Sequence, residues 1–322
     1  MVLLGCSDEP TPVAPDEQKA IGFGNVDTRA INSASDIQEF GVFIEQNLGA
    51  KGTDEYLQWI SLRESERVYR DVNRLFVYDN KCYWVDDREF FFFGYYPYGA
   101  IVARSDEVNS DGETTINYSM NITIPYAANS DYMIAQCTKS TTGVTEYPIV
   151  DMKFSHLLSK VSFRIQKSEE HNANDTFIVT QIGLSGVSRT GIYNITHTPT
   201  RYTEELSIIP ENRNIRRNNL GVEINTSGVD ILSGDGFLVL PQAIDDGKIK
   251  LTITYTYQQD GSSDITYNTK EIDIPVSAVG EWVSNKSYMY NLTLDVDNSI
   301  YISTPTVTGW GSMQTGGTII IQ

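Results

Sequence analysis

Apolar and polar side chains alternate with a period of two along most of this chain, the pattern of strands that turn one face to a core and the other to water. The run from Ile249 to Tyr257 is the clearest. Its odd positions are apolar or aromatic (Ile249, Leu251, Ile253, Tyr255, Tyr257), and its even positions are polar (Lys250, Thr252, Thr254, Thr256). Residues 258–264, with Asp260-Gly261 near their centre, predict a turn, and Ile265, Tyr267 and Thr269 predict the returning strand of a hairpin. The apolar phase then shifts to Ile272, Ile274 and Val276, so a β-bulge is expected near Lys270-Glu271. The same alternation predicts strands over Val161–Ile165, Phe237–Leu240 and Tyr288–Val296. A helix is expected over residues 53–73, where Glu66 and Arg70 stand four apart, although its apolar stripe is weak. Phe90-Phe91-Phe92-Phe93 places two rings on each face of one strand, which predicts burial on both sides. The alternative for that run is an exposed aromatic surface that stacks on sugars. Strands at this spacing, joined by Asp-Gly and Asn-rich turns, predict an all-β chain of β-sandwiches, with a division near Pro148 into two parts of similar size.

Charge and the first residues narrow the setting. A net charge of −18 over 322 residues argues against nucleic acid as a partner, because its phosphates would be repelled. No run of apolar residues is long enough to predict a membrane-spanning helix. Leu3-Leu4-Gly5-Cys6 has leucine three before a cysteine and glycine directly before it, the pattern that lipoprotein signal peptidase reads. It predicts diacylglycerol on the Cys6 thiol and an outer-membrane anchor, with affinity of about 0.8 kcal/mol per buried methylene. The basic and apolar segments that precede such a cysteine are expected upstream of Met1. Ser7 lacks the aspartate that resembles an inner-membrane retention signal, and Asp8-Glu9 resembles the acidic pair of surface-exported lipoproteins. Residues 7–20, with Pro10, Pro12 and Pro15, read as an extended tether, so residues 1–20 form lipobox and linker.

Candidate chemistry is sparse. Cys82 and Cys137 could pair or remain buried free thiols, and free thiols are the expectation. His156, His171 and His197 are scattered away from metal-ligand spacing, and His156 reads as a hydrogen-bonded structural residue. Asp295-Val296-Asp297-Asn298-Ser299 lacks the glycine and distal glutamate of an EF-hand. Neither a nucleophile elbow nor a glycine-rich phosphate loop is present. The sequence therefore predicts no catalytic residue, no cofactor and no metal.

Several segments, in order, resemble the fimbrillin family, whose members are subunits of surface pili. Ile21-Gly22-Phe23 with Thr28-Arg29-Ala30 resembles its first strand and maturation site, and Phe40-Gly41-Val42-Phe43 its next strand. Phe92-Phe93-Gly94-Tyr95-Tyr96-Pro97 resembles its aromatic strand, and Phe154–Val161 the opening of its second domain. Leu238-Val239-Leu240-Pro241-Gln242 and Trp310 complete the likeness. The resemblance implies two tandem transthyretin-like Greek-key β-sandwiches, over residues 21–150 and 151–322. It also implies that a trypsin-like protease cuts Arg29-Ala30, freeing a first strand over 21–29 in which Ile21, Phe23 and Val26 are buried. An opened sheet edge demands a partner. Thr318-Ile319-Ile320-Ile321, within residues 313–322, could be that partner for another subunit, adding a strand by main-chain bonds. The alternative is that 318–322 is the domain's own edge strand. The implied partners are thus other pilus subunits, the maturation protease and a surface ligand of unknown kind. The rival reading is a cell-surface glycan-binding lipoprotein, which predicts exposed rings among Trp59, Trp84, Trp282 and Trp310.

Overall fold

The computed structural model describes residues 19–28, 37–49, 52–100, 102–126, 130–199, 201–245, 247–276 and 280–310. Among the described residues the first half forms β1 (Phe23–Thr28), β2 (Glu39–Asn47), β3 (Trp59–Arg70), β4 (Phe76–Val77), β5 (Glu89–Tyr96), β6 (Val102–Val108), β7 (Thr114–Thr123), β8 (Met133–Ser140) and β9 (Val150–His156). The next strands are β10 (Ser159–Lys167), β11 (Thr176–Val187), β12 (Thr190–His197), β13 (Tyr202–Ile209), β14 (Arg213–Glu223), β15 (Val229–Asp230), β16 (Phe237–Val239) and β17 (Gln242–Ala243). The chain continues through β18 (Lys250–Gln258), β19 (Ile265–Asp273), β20 (Glu281–Trp282), β21 (Lys286–Leu294), β22 (Ile300–Ile302) and β23 (Thr306–Gly309). The fold is all-β, as the period-two alternation predicts.

A seven-stranded sheet of order β1-β9-β8-β5-β2-β3-β4 is the central layer of the first half. β5 lies at its middle, and all four of its phenylalanines are buried. Phe90 and Phe92 join a core with Ile21, Phe23, Phe40, Trp84, Met152 and Phe154. Phe91 and Phe93 join a second core on the opposite face, with Phe43 and Tyr118. Phe93 and Tyr118 rings lie 4.6 Å apart, and Phe43 meets Tyr118 edge-on at 5.1 Å. The sheet that covers this second face has the order β13-β12-β7-β6. Its middle pair, β7 with β12, runs in register from Thr123↔Thr190 to Ile116↔His197. That sheet therefore takes strands from both sides of residue 150. β9, which begins at the expected boundary, belongs to the seven-stranded sheet through β8 and β1.

The rest of the second half packs a sheet built on β10 and β21 against a four-stranded sheet of order β14-β11-β18-β19. β10 and β21 are parallel and pair from Lys160↔Ser287 to Lys167↔Leu294. Phe163 stacks on Tyr290 between them at 5.6 Å. Trp282 is buried, and its indole donates to the Tyr290 hydroxyl at 3.2 Å.

Two expectations need correction. Residues 53–73 form a single 3-10 turn over Asp54–Leu57 followed by β3, and not a helix. Pairing decides this: β3 bonds to β2 from Asn47↔Trp59 to Glu39↔Tyr69, which a four-residue charge spacing cannot oppose. No bulge occurs near Lys270-Glu271 either, because β18 and β19 pair residue for residue from Lys250↔Asp273 to Gln258↔Ile265. β19 is an edge strand whose first apolar residues face water. Tyr267 is 78% exposed and Ile265 53%, so the apparent slip is a change of which face carries apolar residues.

Two buried polar groups lie in the layer that joins the halves. Glu45 on β2 accepts two bonds from Arg104, at 2.8 and 3.1 Å, and one from the Tyr118 hydroxyl at 3.0 Å. Burial nonetheless pushes the Glu45 carboxyl above its ordinary value. His197 on β12 stacks on Phe91 at 3.9 Å and meets Trp59 edge-on at 5.1 Å. Its Nδ1 has no hydrogen-bond partner, and burial lowers its pKa from 6.5 to about 4. Between those two values the unfolded chain holds a proton that the folded chain does not, so acid favours unfolding by up to about 3 kcal/mol. The urea midpoint of the wild type is expected to fall from pH 7 to pH 4.5 by more than that of His197→Phe. Equal falls in the two proteins would remove His197 as the cause.

Candidate functional site

Residues 19–28 lie along an open side of the first core and are stitched to two different segments. Trp84 N donates to Lys19 O at 3.1 Å, Ala20 bridges Tyr83, and Ile21 N donates to Cys82 O at 2.9 Å. The Tyr78 hydroxyl clamps this stretch, donating to Ile21 O at 3.0 Å and accepting from Cys82 N at 3.1 Å. The segment then changes partner. Val150 N donates to Gly22 O at 2.9 Å, and β1 runs parallel to β9 with Phe23↔Val150, Val26↔Met152 and Thr28↔Phe154. One irregularity falls between Phe23 and Val26. Gly24 stands there, and a Cβ on it would come within 2.6 Å of Ile149 Cγ2 and 2.7 Å of Asp151 Oδ1, so a larger residue would push those two side chains aside.

The three side chains singled out in this strand come together on the first core. Ile21, Phe23 and Val26 are all buried. The Phe23 ring meets Tyr78, Phe40 and Phe92 edge-on at 5.6, 5.9 and 6.1 Å. Burial of each large apolar side chain contributes about 1.5–3 kcal/mol. β1 is the terminal strand of its sheet, and its partner β9 lies far along the chain, so no tight turn links the pair. Withdrawal of 19–28 would uncover the main-chain edge of β9 and an apolar groove floored by Phe40, Tyr78, Phe92 and Met152. Burial pushes the Tyr78 hydroxyl up to about 12 and raises the Cys82 thiol, so the groove wall is uncharged at neutral pH. Cys82 and Cys137 are both free.

The last described strand ends near the same place. β23 pairs with β21 from Met289↔Thr306 to Lys286↔Gly309, and Trp310 N donates to Asn285 O at 3.0 Å. The Trp310 ring lies flat on His156 at 3.9 Å, and His156 Nδ1 is held by Asp131 Oδ2 at 2.6 Å. His156 therefore has the structural role expected of it. It closes β9 two residues beyond Phe154, the partner of Thr28, so the exit of the first strand and the departure of the last meet at one end of β9. Neither the Trp310–His156 stack nor the Tyr78 clamp carries a sequence signal, because each joins segments remote in the chain. Cys6, Arg29, Ala30 and Thr318–Ile321 lie outside the described residues.

Elsewhere the chemistry is quiet. Among the described residues no group of three or more His, Cys, Asp or Glu side chains is arranged to hold a metal ion, and no helix is long and apolar enough to cross a membrane. Trp59, Trp84 and Trp282 are buried, and Trp310 is half-buried on His156, against the exposed rings that the glycan-binding rival requires.

A family model described as fimbrillin-like matches residues 28–310. A fimbrial protein from Bacteroides vulgatus has a similar structure, with TM-score 0.62 and 15% identity, over 90% of this chain and 99% of that one. A proposed cell adhesion protein from Bacteroides uniformis is similar at TM-score 0.53 and 16% identity, over 92% of this chain and 100% of that one. No curated protein sequence matches the chain significantly.

The packing sets the cost of disturbing the first strand. Phe23→Ala is expected to destabilise the protein by about 3–5 kcal/mol, and Tyr78→Phe by about 1 kcal/mol, in urea unfolding at neutral pH. A Phe23→Ala protein as stable as the wild type would mean that the first strand does not contribute to the core.

Proposed function

The chain belongs to the fimbrillin-like family, and on that premise we propose that it is a structural pilus subunit assembled by strand exchange. Membership in this family makes it a structural protein of the cell surface and not an enzyme. In the proposed sequence, Cys6 carries lipid and holds the precursor on the outer membrane. A trypsin-like protease then cuts Arg29-Ala30, and the first strand leaves its groove. The C-terminal segment of another subunit, with Thr318, Ile319, Ile320 and Ile321, enters in its place.

One observation carries this reading: residues 19–28 run along the edge of the first core, ending in the terminal strand β1, with Ile21, Phe23 and Val26 buried and main-chain bonds to Cys82 and β9. A cut in the segment after Thr28 turns it into a separable peptide, and the vacated edge of β9 favours an incoming strand. Such a contact joins unlike surfaces and does not close on itself, so it builds a filament. Release would require a strand to be stripped from a core, which gives kinetic stability.

Limited trypsin digestion of the soluble chain, followed by intact mass, size-exclusion chromatography and electron microscopy, tests the sequence of events. The expected outcome is a dominant cut at Arg29-Ala30, loss of the short peptide, and multimers that resist SDS. Arg29→Gln is expected to remain monomeric. A monomer after complete cleavage would overturn strand exchange, and no preferred cut at Arg29 would overturn the maturation step.

A further inference from the structure

The end of the seven-stranded sheet away from His156 carries apolar side chains that the fold leaves uncovered. Register brings the last residue of β2, the first of β5 and the last of β8 together there. Leu48 follows β2, Val85 precedes β5, Val144 follows β8 and Ile149 precedes β9, and these four strands are neighbours in the sheet. All four side chains are exposed, Ile149 by 60%. The exposed carboxylates of Glu55, Asp86, Asp87 and Glu146 stand around them. Exposed apolar residues gathered at one place and rimmed by charge mark an interaction surface.

The opposite end of the sheet carries a counterpart. β3 runs on past Tyr69, the partner of Glu39, into a tight turn from which β4 returns at Phe76. Within that turn Val72 is 98% exposed and Leu75 62%. Arg74 is exposed between them, and among the described residues its guanidinium has no partner. The turn is nonetheless held from within. Asp71 Oδ1 accepts from Asn73 N and Leu75 N, both at 2.9 Å, and Arg70 Nη1 donates to Arg74 O at 3.0 Å. A tip whose backbone is already fixed loses little freedom when it binds.

We propose that these two ends meet between copies of this chain, the β3–β4 tip of one copy seating on the acidic, apolar end of the next. Val72 and Leu75 supply apolar surface to match Val85, Val144 and Ile149, and Arg74 supplies the charge opposite to Asp86, Asp87 and Glu146. The same acidic end of a second copy, or an anionic lipid surface, would meet those carboxylates with like charge. The contact joins unlike surfaces, so it repeats along a line. It requires no cleavage. Where it rests on the strand-exchange reading, it has a further consequence. Trp310 lies at the tip's end of the sheet, and Lys19, where the first strand begins, is bonded to Trp84 beside Val85. A docked copy therefore places the root of its C-terminal segment near the start of its neighbour's groove.

Photo-crosslinking tests the contact, with p-benzoylphenylalanine in place of Val72 in the full chain at high concentration, before and after trypsin treatment. Mass spectrometry maps the product. Covalent dimers are expected in the uncleaved chain, linked to residues 85–89 or 144–149 of the second copy. Their yield is expected to fall as salt rises from about 0.1 to about 1 M, because the screening length shrinks from about 10 to about 3 Å. Arg74→Glu, and Asp87→Asn combined with Glu146→Gln, are each expected to lower the yield about threefold with circular dichroism unchanged. Absence of dimers, dimers linked elsewhere, or full yield from both variants would each overturn the proposal. So would capture of the chain by phosphatidylglycerol vesicles in place of dimers. Uncleaved dimers without SDS-resistant multimers after trypsin would support this contact and count against strand exchange, and the reverse result would count against this contact alone.

Discussion

A strand with four consecutive phenylalanines must be covered on both faces, and the architecture of the first half follows from that requirement. Phe90 and Phe92 need apolar cover on one side of β5, Phe91 and Phe93 on the other. Strands rich in apolar residues at every position are stable only inside a layered packing. The second face is covered by β6, β7, β12 and β13, which makes the two halves share a core across residue 150. The first face is completed at its margin by Ile21, Phe23 and Val26 from the start of the chain.

This division of labour gives the two covers different characters. The β7–β12 layer draws strands from both halves, and its Arg104 and Tyr118 hold the buried Glu45 of β2. Breaking such a group leaves an uncompensated charge, so it resists rearrangement. The first strand buries comparable side chains but sits at a sheet edge and pairs in parallel with a remote partner. Its thermodynamic contribution is large and its topological attachment is slight. The proposed release of this strand after cleavage rests on that combination of strong burial and slight attachment.

The two ends of the seven-stranded sheet are also chemically distinct. At the His156 end, Thr28 and Trp310 bring the exit of the first strand and the root of the C-terminal segment together. At the other end, the polar side chains of Asp87, Arg88, Glu89, Ser140 and Thr142 surround a small crevice.

The sequence by itself determined which residues are strand and which of their side chains are buried, because alternation of period two is a local property. Ile249–Tyr257 and the double burial of Phe90–Phe93 are legible on that ground, whereas the burial of Ile21, Phe23 and Val26 followed from the family resemblance, since their parity changes between Phe23 and Val26. Where alternation was weak or misleading, local reading failed: β3 looked helical because of one charge spacing, and β19 looked bulged because its solvent face carries Ile265 and Tyr267. Only the tertiary structure decided partners. That β1 lies parallel to β9, that β7 pairs with β12 across the two halves, and that Trp310 rests on His156 are contacts between remote segments. Pairing of that kind is set by which surfaces must be covered once the strands exist, and a one-dimensional pattern holds no record of it.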